Sequence, residues 1–433
     1  MKSNQNTIHF NSLIFISLIG TFFFGLTAMI FIMDPGSLSG AMMVSLMTIF
    51  LLIYIYKINN KSIALLMIFG FFLRFFFSIV NEFFWRLPSG RADALSFERN
   101  AAIIADNSRS IIEVFQSDGE FYIRLSGFIY YIFGRYPLLL QHISVVTGTL
   151  MIYIVYRISS ELMGRNYIAK VSAFIITFYP ALVQFSAFTR REALIYFFSA
   201  LAVLYLLKWI NYNKLKFFFL SSIFIFITTF FHSGMVFMIL VNIILYIIYS
   251  PQTKKFKFNQ KTLIYAGMMS ILLLPVLTTL INEVTTISID FLADATERKS
   301  SLDRGRAGYL QGFYPTNPFE AIYQTPVRIV YFLFTPFPWQ INNLSDLYGF
   351  FLDTLPLYVL FFFSYFGLKE IHKESKVLFW VTVFIILSIL IPFAWGTANY
   401  GTAIRHRQKL IWFIISIASI GIVRKRLVWR KNY

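Results

Sequence analysis

Asp93 is the residue whose surroundings most clearly suit a chemical step. It lies between Arg91 and Arg99 in a polar segment that follows a long apolar one. A carboxylate at the boundary between membrane and water can take a proton from a hydroxyl nucleophile. The same position also suits an acid in the first turn of a helix, where the helix dipole stabilises negative charge. We therefore treat Asp93 as a candidate general base and keep the structural role as the alternative.

Arginine and lysine are distributed differently along the chain. With a cytoplasmic N-terminus, the inner loops and tail carry sixteen lysines and five arginines, whereas the outer loops carry fourteen arginines and two lysines. The lysines follow the positive-inside rule, which does not require arginine outside. A planar guanidinium can grip a phosphate through two hydrogen bonds, although arginine also anchors helices at lipid headgroups. The predicted substrate-binding residues are Arg91, Arg99, Arg190, Arg191, His232, Arg304, Arg306, Arg328, Arg405, His406 and Arg407.

The composition assigns these residues to a membrane protein. Of the 433 residues, 58% are apolar and 13% are charged, whereas soluble domains carry roughly 45–50% and 25%. The mean hydropathy is +0.67. Most of the net charge of +18 follows from topology, so we expect no nucleic-acid partner. The absence of cysteine excludes disulfides, thiolate metal sites and cysteine nucleophiles.

The apolar stretches predict an all-α fold, a polytopic transmembrane helical bundle with about twelve spans. An even number of spans places both termini on one side, and the lysines make that side cytoplasmic. The predicted spans are 10–33, 41–56, 63–85, 138–158, 171–188, 193–210, 217–231, 234–249, 263–283, 347–368, 377–395 and 410–423.

Two long outer loops interrupt what we predict to be a single transmembrane domain over residues 1–433. Residues 86–137 contain an amphipathic pattern from Asp93 to Val114, which predicts a helix there. Residues 284–346 end in a segment rich in Pro, Gly, Tyr and Phe. Within it, the short apolar stretch 327–337 predicts a re-entrant or interfacial helix.

Several motifs follow one another in an order that resembles the GT-C glycosyltransferase superfamily. This superfamily includes protein O-mannosyltransferases and bacterial aminoarabinose transferases. The resemblance covers roughly residues 90–215. The motifs are Asp93-Ala-x-x-Phe97-x-x-x-Ala101, Ile129-Tyr-Tyr-Ile-Phe-Gly-Arg-Tyr-Pro137, Tyr156-Arg157, Gly164-Arg165, Phe178-Tyr-Pro-Ala181 and Thr189-Arg-Arg-Glu-Ala193.

The resemblance implies roles for two acids. Asp93 would be the catalytic carboxylate of the first outer loop, and Glu192 the acid of the second, near the donor. The chain departs from the family pattern in having Phe97 where a Tyr is usual, and no second acid adjoins Asp93. Two extra spans also precede the loop, where the family generally has one span in all. No cofactor is predicted, and these departures leave any dependence on a divalent metal open.

The leading hypothesis is a membrane glycosyltransferase that acts on the outer face in cell-envelope polysaccharide or glycolipid biosynthesis. Its partners would be a polyprenyl (undecaprenyl) phosphate- or pyrophosphate-linked sugar, a glycan or glycolipid acceptor and the lipid bilayer. A carboxylate, cations for the leaving phosphate and an apolar groove for the isoprenoid are the parts this reaction needs. The abundant Lys, Asn, Ile and Phe suggest a bacterial source. Together with the apolar spans, this predicts a multi-pass protein of a bacterial cell membrane.

Two alternatives fit the same composition. A polysaccharide polymerase of the O-antigen or capsule type also has about a dozen spans and grips undecaprenyl pyrophosphate with outer arginines; the length of the product separates it from a transferase. A lipid-linked sugar transporter or flippase would place charges near the bilayer midplane and carry internal repeats. The sequence has no evident repeat and concentrates its polar residues in the loops.

Overall fold

The computed structural model describes residues 38–257, 259–265, 267–268, 307–313, 315 and 318–431. The predicted span 10–33 and most of 263–283 lie outside these residues. Arg304 and Arg306, which we predicted to bind substrate, also lie outside them.

Helices make up nearly all of the described chain. A single antiparallel pair of strands, β1 (Tyr249–Ser250) and β2 (Lys255–Phe256), aligns Tyr249 with Phe256. The α-helices are α1 (Leu38–Tyr56), α2 (Lys61–Ile79), α3 (Ala92–Asn107), α4 (Ile111–Gln116), α5 (Phe121–Phe133), α6 (Pro137–Met163), α7 (Asn166–Phe178), α8 (Pro180–Phe185), α9 (Glu192–Tyr212), α10 (Leu215–Phe231), α11 (Phe237–Ile248), α12 (Pro318–Phe334), α13 (Leu344–Gly349), α14 (Leu355–Glu374), α15 (Lys376–Trp395) and α16 (Tyr400–Lys431). Short π-helical turns cover Val80–Phe84 and Phe350–Thr354, and 3₁₀ turns cover Pro88–Gly90, Ser233–Val236 and Pro338–Gln340.

The predicted all-α membrane fold is confirmed. Among the described residues, seven helical segments are long and apolar enough to cross a bilayer. Three predicted spans appear as shorter apolar helices, namely α7, α10 and the segment Ser233–Ile248. Large apolar side chains such as Phe50 and Phe76 are exposed on α1 and α2, as expected for helix faces that contact lipid. The seven long segments are Leu38–Tyr56, Lys61–Phe84, Pro137–Met163, Glu192–Tyr212, Leu344–Glu374, Lys376–Trp395 and Tyr400–Arg426.

The predicted span 171–188 is divided in the structure. Helix α7 ends at Phe178, and α8 begins at Pro180 after an extended Tyr179. Proline has no N–H to donate to the preceding turn and disfavours a helical conformation in the residue before it. The Tyr179–Pro180 pair therefore ends one helix and starts the next.

The loop 86–137 folds into helices rather than one continuous amphipathic helix. Helix α3 ends at Asn107, and α4 begins after Ser110, whose hydroxyl accepts the N–H of Glu113 at 3.3 Å. A serine in this capping position favours a new helix start. The amphipathic pattern correctly predicted which face of α3 is buried, because Ala101 and Ile104 on its apolar side are buried.

The second long loop contains a longer helix than its apolar stretch predicted. Helix α12 begins at Pro318, nine residues before 327, and ends at Phe334. Its exposed side chains include Phe319, Ile322 and Tyr323. An exposed aromatic and aliphatic face is typical of a helix in contact with lipid. Whether α12 re-enters the membrane or lies on its surface stays a prediction.

Contacts divide the chain into two compact units. Unit 1 comprises Met1–Asp118, Ile123–Val146 and Ala187–Arg190, and unit 2 comprises Gly119–Tyr122, Thr147–Ser186 and Arg191–Tyr433. In unit 1, side chains of α3 pack against α5 and α6 through a cluster of Ala101, Ala102, Tyr130 and Leu140. The single transmembrane domain stays a prediction beside this division.

The helices of unit 2 pack around α16. In the most apolar 18-residue stretch of this helix, 94% of the residues are buried. Helix α14 approaches it closely at two glycines. A Cβ on Gly367 would lie 2.0 Å from the carbonyl oxygen of Ile417, and one on Gly421 would lie 2.0 Å from that of Phe363. Small residues at such crossings let helix backbones meet inside a membrane. The close contact with α14 fixes the position of α16, and therefore also the position of the charged residues near its N-terminal end.

Candidate functional site

Asp93 lies in the first turn of α3 and faces Arg190 within unit 1. The distance from Arg190 Nη1 to Asp93 Oδ2 is 3.7 Å, which is an ion pair longer than a hydrogen bond. The Asp93 side chain is 46% exposed, whereas that of Arg190 is 7% exposed. A buried guanidinium thus lies beside an accessible carboxylate, and a carboxylate is one of the groups that can take a proton from a hydroxyl.

A polar cavity of about 240 Å³ opens in unit 1 beside this pair. Two of its lining residues, Ala94 and Thr189, directly adjoin Asp93 and Arg190 in the chain. The predicted ligand Arg99 also lines it, whereas Arg91 is exposed and donates its Nε–H to the carbonyl of Arg86 at 3.2 Å. The lining residues are Asn81, Glu82, Arg86, Gly90, Ala94, Leu95, Glu98, Arg99, Arg135, Pro137, Gln141 and Thr189.

Two ion pairs with double hydrogen bonds form part of the cavity wall. Arg86 donates to both carboxylate oxygens of Glu82 at 2.8 Å. Arg135 donates to both oxygens of Glu98 at 2.9 and 3.0 Å. The hydrogen bond to Glu98 raises the pKa of Arg135, against the opposing effect of partial burial. Because each arginine forms two parallel hydrogen bonds to its carboxylate, the orientation of these side chains in the cavity wall is well defined.

The cavity wall requires glycine at position 90. A Cβ there would lie 2.0 Å from Oδ1 of Asn81, the atom that accepts the N–H of Leu87 at 3.1 Å. Asn81 is itself buried, so its side chain has little room to move.

We expect Gly90→Ala to displace the Asn81 side chain, to lower the thermal unfolding midpoint and to destabilise the fold by about 1–3 kcal/mol. Thermal unfolding of the purified chain in detergent measures this. Gly267→Ala is the control, because no described atom lies within 4 Å of its added Cβ. Equal midpoints for the two variants would contradict the proposed contact.

Glu192 begins α9 in unit 2 and pairs with Arg405 of α16. Arg405 Nε lies 3.1 Å from Glu192 Oε1, and the Glu192 side chain is 1% exposed. Arg191, just before it, binds Oε2 of Glu120 at 2.5 Å. The two acids and two arginines thus form buried or half-buried pairs within one unit.

The two predicted histidines meet in unit 2. The rings of His232 and His406 are 5.2 Å apart and perpendicular, and both contact Phe393. His232 Nδ1 accepts the N–H of Gly234, and His406 Nδ1 lies 3.1 Å from the hydroxyl of Thr397. Enclosure of the His232 ring, followed by the charges of Lys409, Arg191 and Arg405, lowers the pKa of His232 well below its usual value. The ring is therefore neutral near pH 7.

Lys409 joins this group, and the sequence prediction did not include it. Its side chain is fully buried, and Nζ has no hydrogen-bond partner among the described residues. Its Nζ lies 4.8 Å from the centre of the Phe393 ring. Its only signal in the sequence was that it is one of two lysines among the outer arginines. A buried amine without a partner is costly, which makes it a candidate ligand for an anion.

Arg407 and Arg328 have other contacts than the expected phosphate. Arg407 is 0% exposed, pairs with Asp353 at 2.6 Å and donates to the carbonyls of Phe332 and Leu333. Arg328 lies 4.3 Å from the Trp395 ring centre and donates to the carbonyl of Phe313. The structure therefore gives both guanidinium groups a role in holding α12 against its neighbours.

The described residues contain no group of side chains arranged as a metal site. Within the described parts of the chain, no three carboxylate or imidazole side chains are grouped as a metal ion requires.

Part of the sequence matches a known protein family, and most of the fold is similar to a solved structure. Residues 123–281 match the family of dolichyl-phosphate-mannose-protein mannosyltransferases. No curated protein sequence matches the chain significantly. Asp93, Arg328 and Arg405 lie outside the matched residues, so their roles rest on the geometry above.

The solved structures that match the chain include oligosaccharyltransferases, one of which has a similar arrangement of helices. The archaeal oligosaccharyltransferase AglB from Archaeoglobus fulgidus, in complex with an inhibitory peptide and a dolichol-phosphate, is 12% identical with a TM-score of 0.51. The match covers 87% of this chain and 52% of that one. The oligosaccharyltransferase of the same organism in the apo form is 14% identical with a TM-score of 0.47, over 86% of this chain and 51% of that one. The chain thus spans about half the length of these proteins.

The match over residues 123–281 and the fold shared with AglB agree with the order of motifs in the sequence. Residues 123–281 are thus similar to the dolichyl-phosphate-mannose-protein mannosyltransferases, and the chain as a whole is similar in fold to AglB.

Proposed function

We propose that the protein transfers a sugar from a polyprenyl-phosphate-linked donor to a glycan or glycolipid acceptor on the outer face of the membrane. The observation that carries this proposal is Asp93, an accessible carboxylate held by the buried Arg190 beside a polar cavity. The similarity of residues 123–281 to a family of mannosyltransferases supports the reaction class. The product would serve cell-envelope polysaccharide or glycolipid synthesis.

Asp93 would act as the general base. The hydroxyl oxygen of the acceptor attacks the anomeric carbon of the donor sugar, and its proton passes to the Asp93 carboxylate. The bond between the anomeric carbon and the phosphate oxygen breaks, and polyprenyl phosphate leaves with the bonding electrons. Arg190 would stabilise negative charge near the reacting atoms, as a pre-positioned cation does in a site of low dielectric.

An anionic group would bind to the charged cluster in unit 2. Arg191 and Arg405 pair with Glu120 and Glu192, and the Lys409 amine is buried with them without a hydrogen-bond partner among the described residues. A phosphate of a lipid-linked substrate would give this amine an anionic partner and add to the contacts of the two guanidinium groups. His232 is neutral near pH 7 and its Nδ1 accepts the N–H of Gly234, so its Nε2–H would donate a hydrogen bond to the phosphate. The relative AglB was solved with a dolichol-phosphate, which supports a lipid donor for this chain.

The location follows from the lysine distribution. The predicted inner loops and the tail hold sixteen of the chain's lysines, so by the positive-inside rule both termini would lie in the cytoplasm. The outer loops then include 86–137, which contains Asp93. We assign the protein to a bacterial cell membrane, where undecaprenyl phosphate would be the lipid carrier.

The donor class is tested with the purified chain in liposomes. We expect labelled sugar to pass to a lipid or glycan acceptor from an undecaprenyl-phosphate-linked donor and not from the corresponding nucleotide sugar. Thin-layer chromatography of the extracted lipids and glycans measures the transfer. Transfer from the nucleotide sugar alone, or uptake of the lipid-linked sugar without a covalent product, would overturn the proposal.

A further inference from the structure

The cavity of unit 1 has an excess of positive charge. Three arginines and two glutamates line it. Glu82 and Glu98 are each occupied by a doubly hydrogen-bonded arginine, namely Arg86 and Arg135. The remaining cation is Arg99, whose guanidinium forms no ion pair or hydrogen bond with the described residues. A ligand that fills this cavity would therefore meet one uncompensated guanidinium.

The neutral polar groups of the wall are already engaged. Gln141 accepts a hydrogen bond from Ser78 at 2.9 Å and donates to Glu82. Asn81 accepts the N–H of Leu87. These contacts hold the wall in place and leave Arg99 as the group best able to pair with a ligand.

The size of the cavity limits the ligand. About 240 Å³ is less than the roughly 300–1,000 Å³ of pockets that hold drug-sized molecules. One sugar ring suits this space better than an oligosaccharide. Leu95 and Pro137 provide apolar wall beside the charged groups, as a sugar ring with both hydroxyl and C–H faces requires.

We propose that this cavity binds a single sugar residue that carries a negative charge, with Arg99 pairing its carboxylate or phosphate. The inference deepens the proposed function and rests on it, because Ala94 and Thr189 of the cavity adjoin Asp93 and Arg190. A neutral hexose would leave Arg99 without a counter-charge, whereas a uronate would satisfy it through two hydrogen bonds. The charged sugar belongs either to the donor or to the acceptor.

Two methyl glycosides that differ only at C6 test the charge. Methyl β-glucuronide and methyl β-glucoside are titrated against the full chain in nanodiscs of zwitterionic lipid, with binding followed by saturation-transfer NMR. We expect the glucuronide to bind about tenfold more tightly. In Arg99→Gln the two glycosides should bind alike, and Arg99→Lys should keep part of the preference.

Arg109→Gln is the matched control, since Arg109 is exposed in the same loop and does not line the cavity. It should keep the full preference for the glucuronide. Equal binding of the two glycosides by the unmodified chain would overturn the proposal. So would a loss of preference in Arg109→Gln as large as that in Arg99→Gln.

A third probe identifies the source of the sugar. Glucuronate 1-phosphate resembles a donor, and the methyl glucuronide resembles an acceptor residue. Tighter binding of the 1-phosphate, dependent on Arg99, assigns the cavity to the donor sugar; equal binding assigns it to the acceptor. Both results require the charged sugar.

The same titrations in Asp93→Asn separate this proposal from the proposed function. Asp93 does not line the cavity, so the preference for the glucuronide should persist in that variant. If Asp93→Asn keeps the preference for the glucuronide and also keeps full transfer activity, Asp93 is not the general base, but the cavity still binds a charged sugar. If Asp93→Asn loses transfer activity and the unmodified chain shows no preference for the glucuronide, Asp93 remains the general base, but the cavity does not bind a charged sugar.

Discussion

Replacing Asp93 by Asn is expected to lower the rate of sugar transfer by about 10²–10⁴-fold, because an amide cannot take the proton of the acceptor hydroxyl. The side chain keeps its size, and its 46% exposure makes a folding defect from this change small. Initial rates with a lipid-linked donor, measured in liposomes, give the comparison. The thermal unfolding midpoint should match that of the unmodified chain.

Asp118→Asn serves as its control. Asp118 is exposed in the same loop and lies outside the cavity wall, so the loss of one negative charge there should leave the rate unchanged. If Asp93→Asn turned over at the rate of the unmodified chain, the proposed base would be wrong. An equal fall in both variants would instead indicate an effect of net charge on this loop.

Removing the carboxylate of Asp353 is expected to destabilise unit 2 by about 3–5 kcal/mol, because it leaves the Arg407 guanidinium buried and uncompensated. Asp353 and Arg407 are both fully buried and 2.6 Å apart. Gln408 also donates to Asp353 at 2.6 Å, and Arg407 Nη2 donates to the hydroxyl of Thr354 at 3.0 Å. Asp353→Ala should therefore lower both the yield of folded protein and the thermal unfolding midpoint.

Arg165→Ala is the matched control for this prediction. Arg165 pairs with Glu374 at 2.9 Å, but both side chains are 49% exposed, so the loss should be only about 0–1 kcal/mol. Asp353→Leu combined with Arg407→Met should recover much of the stability, since an apolar pair has no charge to desolvate. A midpoint for Asp353→Ala equal to that of Arg165→Ala would show that the buried pair does not stabilise unit 2.

Helix geometry explains why neighbouring arginines have different contacts. Arg405 and Arg407 were both predicted from the sequence to bind substrate. Both belong to α16, where two residues are about 200° apart around the axis. Arg405 therefore reaches Glu192, whereas Arg407 reaches Asp353. The last span was predicted to cover only 410–423, whereas the helix begins at Tyr400, so the prediction did not place the two arginines on one helix.

Asp93 was accessible to sequence reasoning because its motif is local. Its partner Arg190 lies 97 positions further along the chain, so the ion pair between them could not be read from spacing. The same holds for Lys409, whose burial depends on how α16 is enclosed by other helices. The cavity wall likewise joins Glu82 and Glu98 with Arg135 and Gln141, which come from four separate segments.

The amino-acid sequence by itself determined that this chain forms a lipid-embedded helical bundle. Apolar stretches long enough for a bilayer, interrupted by Pro and polar residues, admit few other structures, because an unpaired backbone polar group is costly in lipid. Only the tertiary structure decided which charged side chains became buried partners and which remained available to a ligand. That choice depends on contacts between residues such as Asp353 and Arg407, 54 positions apart, and on the low dielectric that surrounds them once the helices have packed.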